Sequence, residues 1–186
     1  MSVDTFSIQG LKLITLKCFG DDRGFFTERF RESFLKQFEL PPLIQDNFSR
    51  SSYSVLRGLH FQTNPTQGKL VTCLSGTIFD VAVDIRKESP TYGKYAHVIL
   101  DGSKPQWFWI PAGFAHGFCV VSQQGADVMY KVDNYYSAQG DGGLTWNDPT
   151  LKIEWPLQNP NLSPKDQVLP TFAEYSKAPL FSMDDK

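Results

Sequence analysis

Long apolar runs are missing from this chain. The longest, around Trp107 to Val121, is broken by Pro111 and His116 and is too short to span a bilayer. Cysteine is scarce as well: Cys18, Cys73 and Cys119 lie far apart with no paired spacing, which argues against a disulfide framework and against a CxxC-type metal site. Neither sign of charge is in surplus, with 18 Lys and Arg against 20 Asp and Glu and a net charge of −2. That balance argues against nucleic-acid binding through a broad basic field. The opening Met-Ser-Val-Asp-Thr has neither the basic nor the apolar region of a secretory leader. These absences predict a cytoplasmic protein with no nucleic-acid and no membrane partner. No GxGxxG fingerprint is present, so nothing points to a dinucleotide cofactor. The three histidines form no close pair, and the position two after His60 is Gln62. Two histidines with an unassigned third ligand make a poor transition-metal site, so no metal is expected.

Aromatic residues, by contrast, are plentiful: fifteen Phe, seven Tyr and four Trp in 186 residues. They suit pleated, half-buried surfaces and can also stack on a ligand ring. Strand signals dominate. Residues 77–86 alternate, with Phe79, Val81, Val83 and Ile85 on one side and Asp80, Ala82, Asp84 and Arg86 on the other. One face of that strand can be packed core and the other a polar cavity or the surface. Further runs at 11–18, 24–31, 43–49, 55–61, 69–75, 95–100, 106–110, 116–121 and 126–134 are punctuated by turns such as Asn64-Pro65, Ser75-Gly76 and Asp101-Gly102. This cadence predicts an all-β antiparallel sandwich or barrel. Only 32–39 and 163–168 read as helical, the second with Ser163 as N-cap and Pro164 at the first helical position. Residues 1–186 read as one domain, with the proline-rich segment 156–186 wrapping over it or fraying.

Few residues carry obvious chemistry. In Leu56-Arg57-Gly58-Leu59-His60-Phe61-Gln62 an imidazole that titrates near neutrality stands close to a guanidinium suited to phosphate. A regular strand sends Arg57 and His60 to opposite faces, yet a bulge at Gly58 brings both to one side. His60 alone reads more readily as a structural histidine than as a catalytic one. His116 follows the turn at Pro111 and Gly113, where a functional side chain or a loop cap are both at home. His97, in an ordinary strand, reads as structural. Asp166 by default is a solvated helix-end residue; folded back onto His60, it would orient the ring and favour the imidazolium. Tyr130, Tyr135 and Tyr136 form a cluster in which a phenol can serve as an acid or simply pack. Lys69 alone reads as a surface lysine.

Together these segments resemble the cofactor-independent dTDP-4-dehydrorhamnose 3,5-epimerases. The likeness covers about residues 10–170 and is carried by Asp22-Arg23-Gly24-Phe25-Phe26 with Glu28, Gln45-Asp46-Asn47, Leu56 to Gln62, and Gln67-Gly68-Lys69-Leu70. It continues through Phe79 to Arg86 with Glu88-Ser89-Pro90, Ile110 to Phe118, Tyr130-Lys131, Asn134-Tyr135-Tyr136 and Trp146-Asn147-Asp148. The resemblance implies a cupin-type jelly roll that dimerises through its sheets, needs no cofactor, and acts on a 4-keto-6-deoxyhexose carried on thymidine diphosphate. It implies inversion at C3 and C5, with His60 as base, Asp166 as its support and Tyr130 as acid on the opposite face of the sugar. It implies a substrate pocket lined by Arg23, Glu28, Gln45, Asp46, Asn47, Arg57, Lys69 and His116, with Tyr135 near the nucleotide and Asp141 and Lys165 at further contact positions. Asp141 is shorter than the family's glutamate there. Lys165 stands where the family has arginine, which keeps the charge and loses a two-pronged phosphate contact. A C3-only epimerase, a sugar-nucleotide 3,4-ketoisomerase and a non-catalytic sugar-nucleotide-binding barrel are the alternatives.

Overall fold

A computed structural model describes residues 1–183; the last three positions of the 156–186 segment lie outside the described residues. Two sheets face each other. The first six strands are β1 (Ser2–Thr5), β2 (Lys12–Thr15), β3 (Cys18–Asp21), β4 (Gly24–Thr27), β5 (Gln45–Ser51) and β6 (Leu56–Gln62). Then come β7 (Lys69–Ser75), β8 (Thr77–Asp84), β9 (Arg86–Lys87), β10 (Tyr95–Asp101), β11 (Gln106–Ile110) and β12 (Phe114–Val120). β13 (Ala126–Val132), β14 (Asp141–Gly143) and β15 (Phe181–Ser182) complete the set, with short helices α1 (Ser33–Gln37) and α2 (Phe172–Tyr175). One sheet runs β1-β2-β11-β7-β13-β5 and the other β10-β8-β12-β6-β14. Consecutive strands repeatedly fall in opposite sheets, as in a jelly roll.

The interior splits by residue parity. Inward from the first sheet come Val71, Cys73, Phe108, Ile110 and Val128, which meet Ile78, Ala82, Phe114, Phe118 and Val120 of the second in one buried cluster. Both sheets are also covered outside. Trp107 and Trp109 face outward from β11 and pack with Leu70 beneath Phe34 of α1 and Phe38 at its C-terminal cap. Phe79, Val81, Val83 and Leu59 face outward from the second sheet and pack against Leu144, Leu151, Phe172, Tyr175 and Phe181. The wrapping segment therefore forms an outer layer, and β15 pairs in parallel with β9. This explains why β8 is buried along nearly its whole length. Its apolar side meets the wrap, and its other side meets the interior, where Asp80 is fully buried.

The remaining acidic position of that strand is structural. Asp84 accepts bonds from Arg86 Nε (2.9 Å) and Nη2 (2.8 Å) and from the hydroxyls of Ser89 and Thr91 (2.6 Å each). The strand expected over 11–18 divides into β2 and β3, and the one over 24–31 ends at Thr27. β3 and β4 form a separate hairpin. The 163–168 helix is a single 3₁₀ turn over Asp166–Val168.

Candidate active site

β6 carries the first two candidate side chains. Against β12, His116 lies opposite His60 and Phe118 opposite Arg57, so three steps on β6 match two on β12. That extra residue is a β-bulge at Gly58–Leu59, and it brings Arg57 and His60, which plain alternation would separate, to one wall of the same cavity. Gly58 is required there. Its φ is +129°, and a Cβ on it would stand 2.5 Å from the Cα of Gly117 and 2.9 Å from the carbonyl oxygen of His116.

The cavity holds about 270 Å³ and is lined by Ser49, Arg57, His60, Lys69, His116, Phe118, Tyr130, Ser163, Lys165 and Asp166. The fold draws these from β5, β6, β7, β12, β13, the start of the 3₁₀ turn and the residues just before it. His60 Nε2 lies 2.6 Å from Asp166 Oδ1. Asp166 is 2 % exposed, far from the solvated helix end its sequence position suggests, and the Ser163 hydroxyl accepts from its amide at 3.1 Å. Burial by itself would raise the Asp166 pKa; the bonds from His60, Ser163 and the Gly58 backbone outweigh it and hold the carboxyl below its ordinary value. An ionised Asp166 requires the proton of the dyad on Nε2, which leaves the lone pair on Nδ1.

His116 Nε2 lies 3.0 Å from each oxygen of Asp80, which is fully buried. This second imidazole–carboxyl pair links β12 to β8. Lys69 Nζ donates to the His60 carbonyl at 3.3 Å, and burial pushes its pKa down to about 8 against the pull of Asp80 and Asp141. Tyr130 has its pKa raised by burial, with Arg57 opposing, so its phenol stays protonated at neutral pH. Arg57 Nε donates to the Ser51 hydroxyl at 3.0 Å.

The other sequence-derived positions, Arg23, Glu28, Gln45, Asp46, Asn47, Tyr135 and Asp141, do not line the cavity. Asp141 pairs with Lys165 and accepts from the Tyr136 hydroxyl at 3.2 Å. Gln45 donates to Asn47 at 2.9 Å on β5, and Asp46, on the opposite face of that strand, pairs with Lys131 at 2.8 Å. Tyr135 is exposed beside Tyr136. Gln62, buried, donates to the carbonyls of Pro65 and Tyr135 and accepts from the Ser137 amide, which pins this tyrosine loop. Arg23 and Glu28 are not brought to the cavity. Arg23 pairs with Asp21 on the β3–β4 hairpin, and Glu28 with Arg31. His97 is exposed and stacked on Phe79 at 4.5 Å.

Sequence reading did not single out Ser49, Asp80, Phe118 or Ser163 as site residues. Ser49 had a signal, because Gln45, Asn47, Ser49 and Ser51 alternate along one face of β5. Asp80 was visible on the polar side of its strand, but its partnership with His116 depends on the β8–β12 register, which no local pattern encodes.

Comparison with known proteins converges on one group. A family profile described as dTDP-4-dehydrorhamnose 3,5-epimerase matches residues 5–174. A dTDP-4-dehydrorhamnose 3,5-epimerase of Shigella flexneri is 48% identical over 169 residues, 89% of this chain and 93% of the relative. One from Escherichia coli K12 is 45% identical over 186 residues, covering 98% and 100%. The crystal structure of a dTDP-6-deoxy-D-glucose-3,5-epimerase from Legionella pneumophila, in complex with dTDP-4-keto-L-rhamnose, superposes with a TM-score of 0.91 at 45% identity and covers 97% of each chain. With the bulged β6, the His60–Asp166 pair and the protonated Tyr130 in one cavity, this chain belongs to the dTDP-4-dehydrorhamnose 3,5-epimerase family.

Proposed function

We propose that the cavity inverts C3 and C5 of dTDP-4-dehydro-6-deoxy-D-glucose to give dTDP-4-dehydro-L-rhamnose. The observation that carries this reading is the placement of a carboxylate-supported imidazole and a protonated phenol in one small cavity. The C4 ketone acidifies the hydrogens at C3 and C5, because the carbanion left behind delocalises as an enolate. His60 removes the proton through Nδ1, and Asp166 stabilises the imidazolium that forms. Tyr130 returns a proton from the opposite face, which turns exchange into inversion. Lys69 and His116 donate to the developing C4 oxyanion. The reaction is redox-neutral, so it calls for no hydride acceptor.

A cavity of about 270 Å³ suits the hexose and leaves the thymidine diphosphate toward the mouth. There Lys165 and Arg57 answer the diphosphate, and exposed Tyr135 and Tyr136 offer faces to the base. Arg23 and Glu28 find a role if the protein is a homodimer. The hairpin that carries Arg23 and leads into Glu28 exposes Phe19, Phe25 and Phe26, and we assign it to the neighbouring copy, where both residues would serve the other cavity. The substrate class and the unpaired thiols support a cytoplasmic setting; among the described residues no helix is long and apolar enough to cross a membrane.

Incubation with dTDP-4-keto-6-deoxyglucose in deuterium oxide tests the reading. Wild-type protein should take up deuterium at both C3 and C5, and His60→Ala should take up none while still binding dTDP. Tyr130→Phe should exchange faster than it inverts. Uptake at C3 alone would reassign the protein as a single-site epimerase, and full exchange by His60→Ala would remove the base.

A further inference from the structure

Ser49 stands apart from its neighbours on β5. The inward face of that strand carries Gln45, Asn47, Ser49 and Ser51. Gln45 and Asn47 bond each other, and Ser51 accepts from Arg57. Ser49 lines the cavity, yet its Oγ is buried and, among the described residues, has no hydrogen-bond partner. Buried hydroxyls are nearly always satisfied, so an unpartnered one on the wall of a cavity points to a partner that the cavity admits. Register fixes what lies next to it. Ser49 pairs with Val128 and Asn47 with Tyr130, so Ser49 is the diagonal cross-strand neighbour of Tyr130, a spacing that long or aromatic side chains bridge.

We infer that Ser49 is a substrate-contacting residue whose hydroxyl bonds the C2 hydroxyl of the hexose on the Tyr130 side of the ring. The inference rests on the epimerase reading above. Stereochemistry selects the position. A 4-keto-6-deoxyhexose has free ring hydroxyls only at C2 and C3, and C3 changes configuration during turnover. The C2 hydroxyl alone keeps its direction through both inversions, so only there can one fixed hydroxyl hold the ring from substrate to product. C2 also adjoins the carbon bearing the diphosphate, so the contact would tie the sugar to its anchored end while C3 and C5 pass their protons. Serine can donate and accept at once, as a hydroxyl partner requires.

The test compares wild type with Ser49→Ala on dTDP-4-keto-6-deoxyglucose and on its 2-deoxy analogue, alongside calorimetric binding of dTDP. Ser49→Ala should lower kcat/KM on the full sugar about ten-fold, the factor set by one net hydrogen bond, with dTDP affinity unchanged. The analogue should cost wild type a similar factor, and the variant nothing further. Because the analogue is assayed on wild type, that arm stands even if the variant folds poorly. Unchanged kcat/KM in the variant, losses that multiply on the analogue, or weakened dTDP binding would each overturn the inference. Wild type that exchanges no proton at C3 or C5 would instead bring down the epimerase reading beneath it.

Discussion

The 2.6 Å bond between His60 Nε2 and Asp166 decides which nitrogen of the ring can act, and it makes Asp166 testable apart from the base. Asp166→Asn keeps the shape but can hold the wrong tautomer and no longer stabilises an imidazolium. We expect kcat to fall on the order of 10²- to 10⁴-fold, with dTDP affinity preserved in a calorimetric titration. The folded-state pKa of Asp166 is depressed, so the dyad's contribution to stability is present above the ordinary carboxylate pKa and is lost as pH falls through the folded value. Lys69 has the opposite sense. Its pKa drops from an ordinary 10.5 to about 8, so below pH 8 the folded protein carries a buried ammonium that the unfolded chain would solvate freely. That penalty is relieved as pH rises from 8 toward 10.5. Lys69→Met should therefore raise the melting temperature at neutral pH while lowering kcat on the order of 10²- to 10³-fold, the usual worth of one oxyanion donor. The wild-type kcat profile should bend downward near pH 8, and a flat profile through pH 9.5 would exclude Lys69 as that donor.

At the scale of single elements, the bulge in β6 is the decisive local feature. Gly58→Ala would place a methyl 2.5 Å from the Cα of Gly117 on a residue with φ +129°. Neither backbone has room to yield, so the variant should lose on the order of 3 kcal/mol in denaturant unfolding. Arg57 and His60 should no longer share a wall, and kcat should fall along with stability. This element also shows how far sequence reading reached. The parity conflict between Arg57 and His60, and a glycine placed to resolve it, were visible in seven residues. The alternation of β8 was visible too, because both its faces meet distinct layers. What could not be read was whatever depends on distant pairing: Asp80 against His116 across two strands, and Asp166 folded back over more than a hundred residues. The short α2 went unread although Thr171 and Glu174 form a capping box, since a four-residue helix leaves no apolar period to detect. The run expected over 24–31 stops at Thr27 because its first half belongs to the β3–β4 hairpin, on which Phe19, Phe25 and Phe26 stay exposed.

Across the whole molecule, catalysis and much of the stability are assigned to opposite sides of the second sheet. His60, Arg57, Asp80 and His116 face the interior, while Leu59, Phe61, Val81 and Val83 of the same strands face the outer layer. The wrap is fastened by Asp148, which is 2 % exposed. One of its oxygens accepts from the amides of Thr150 (2.8 Å) and Leu151 (3.0 Å), and the other from the amide of Phe172 (2.7 Å) at the start of α2. Asp148→Ala strands three amide donors, two of them buried, and should cost about 3 kcal/mol. Asp166 is secured separately, by Ser163 and by His60 itself, so the dyad should survive a loosened wrap. The variant should show a clearly lower melting temperature and faster heat inactivation, yet near wild-type kcat and KM at 25 °C. Loss of kcat in a still-folded Asp148→Ala protein would mean that the outer layer positions Asp166, and the two faces of the sheet would then have to be treated as one coupled unit.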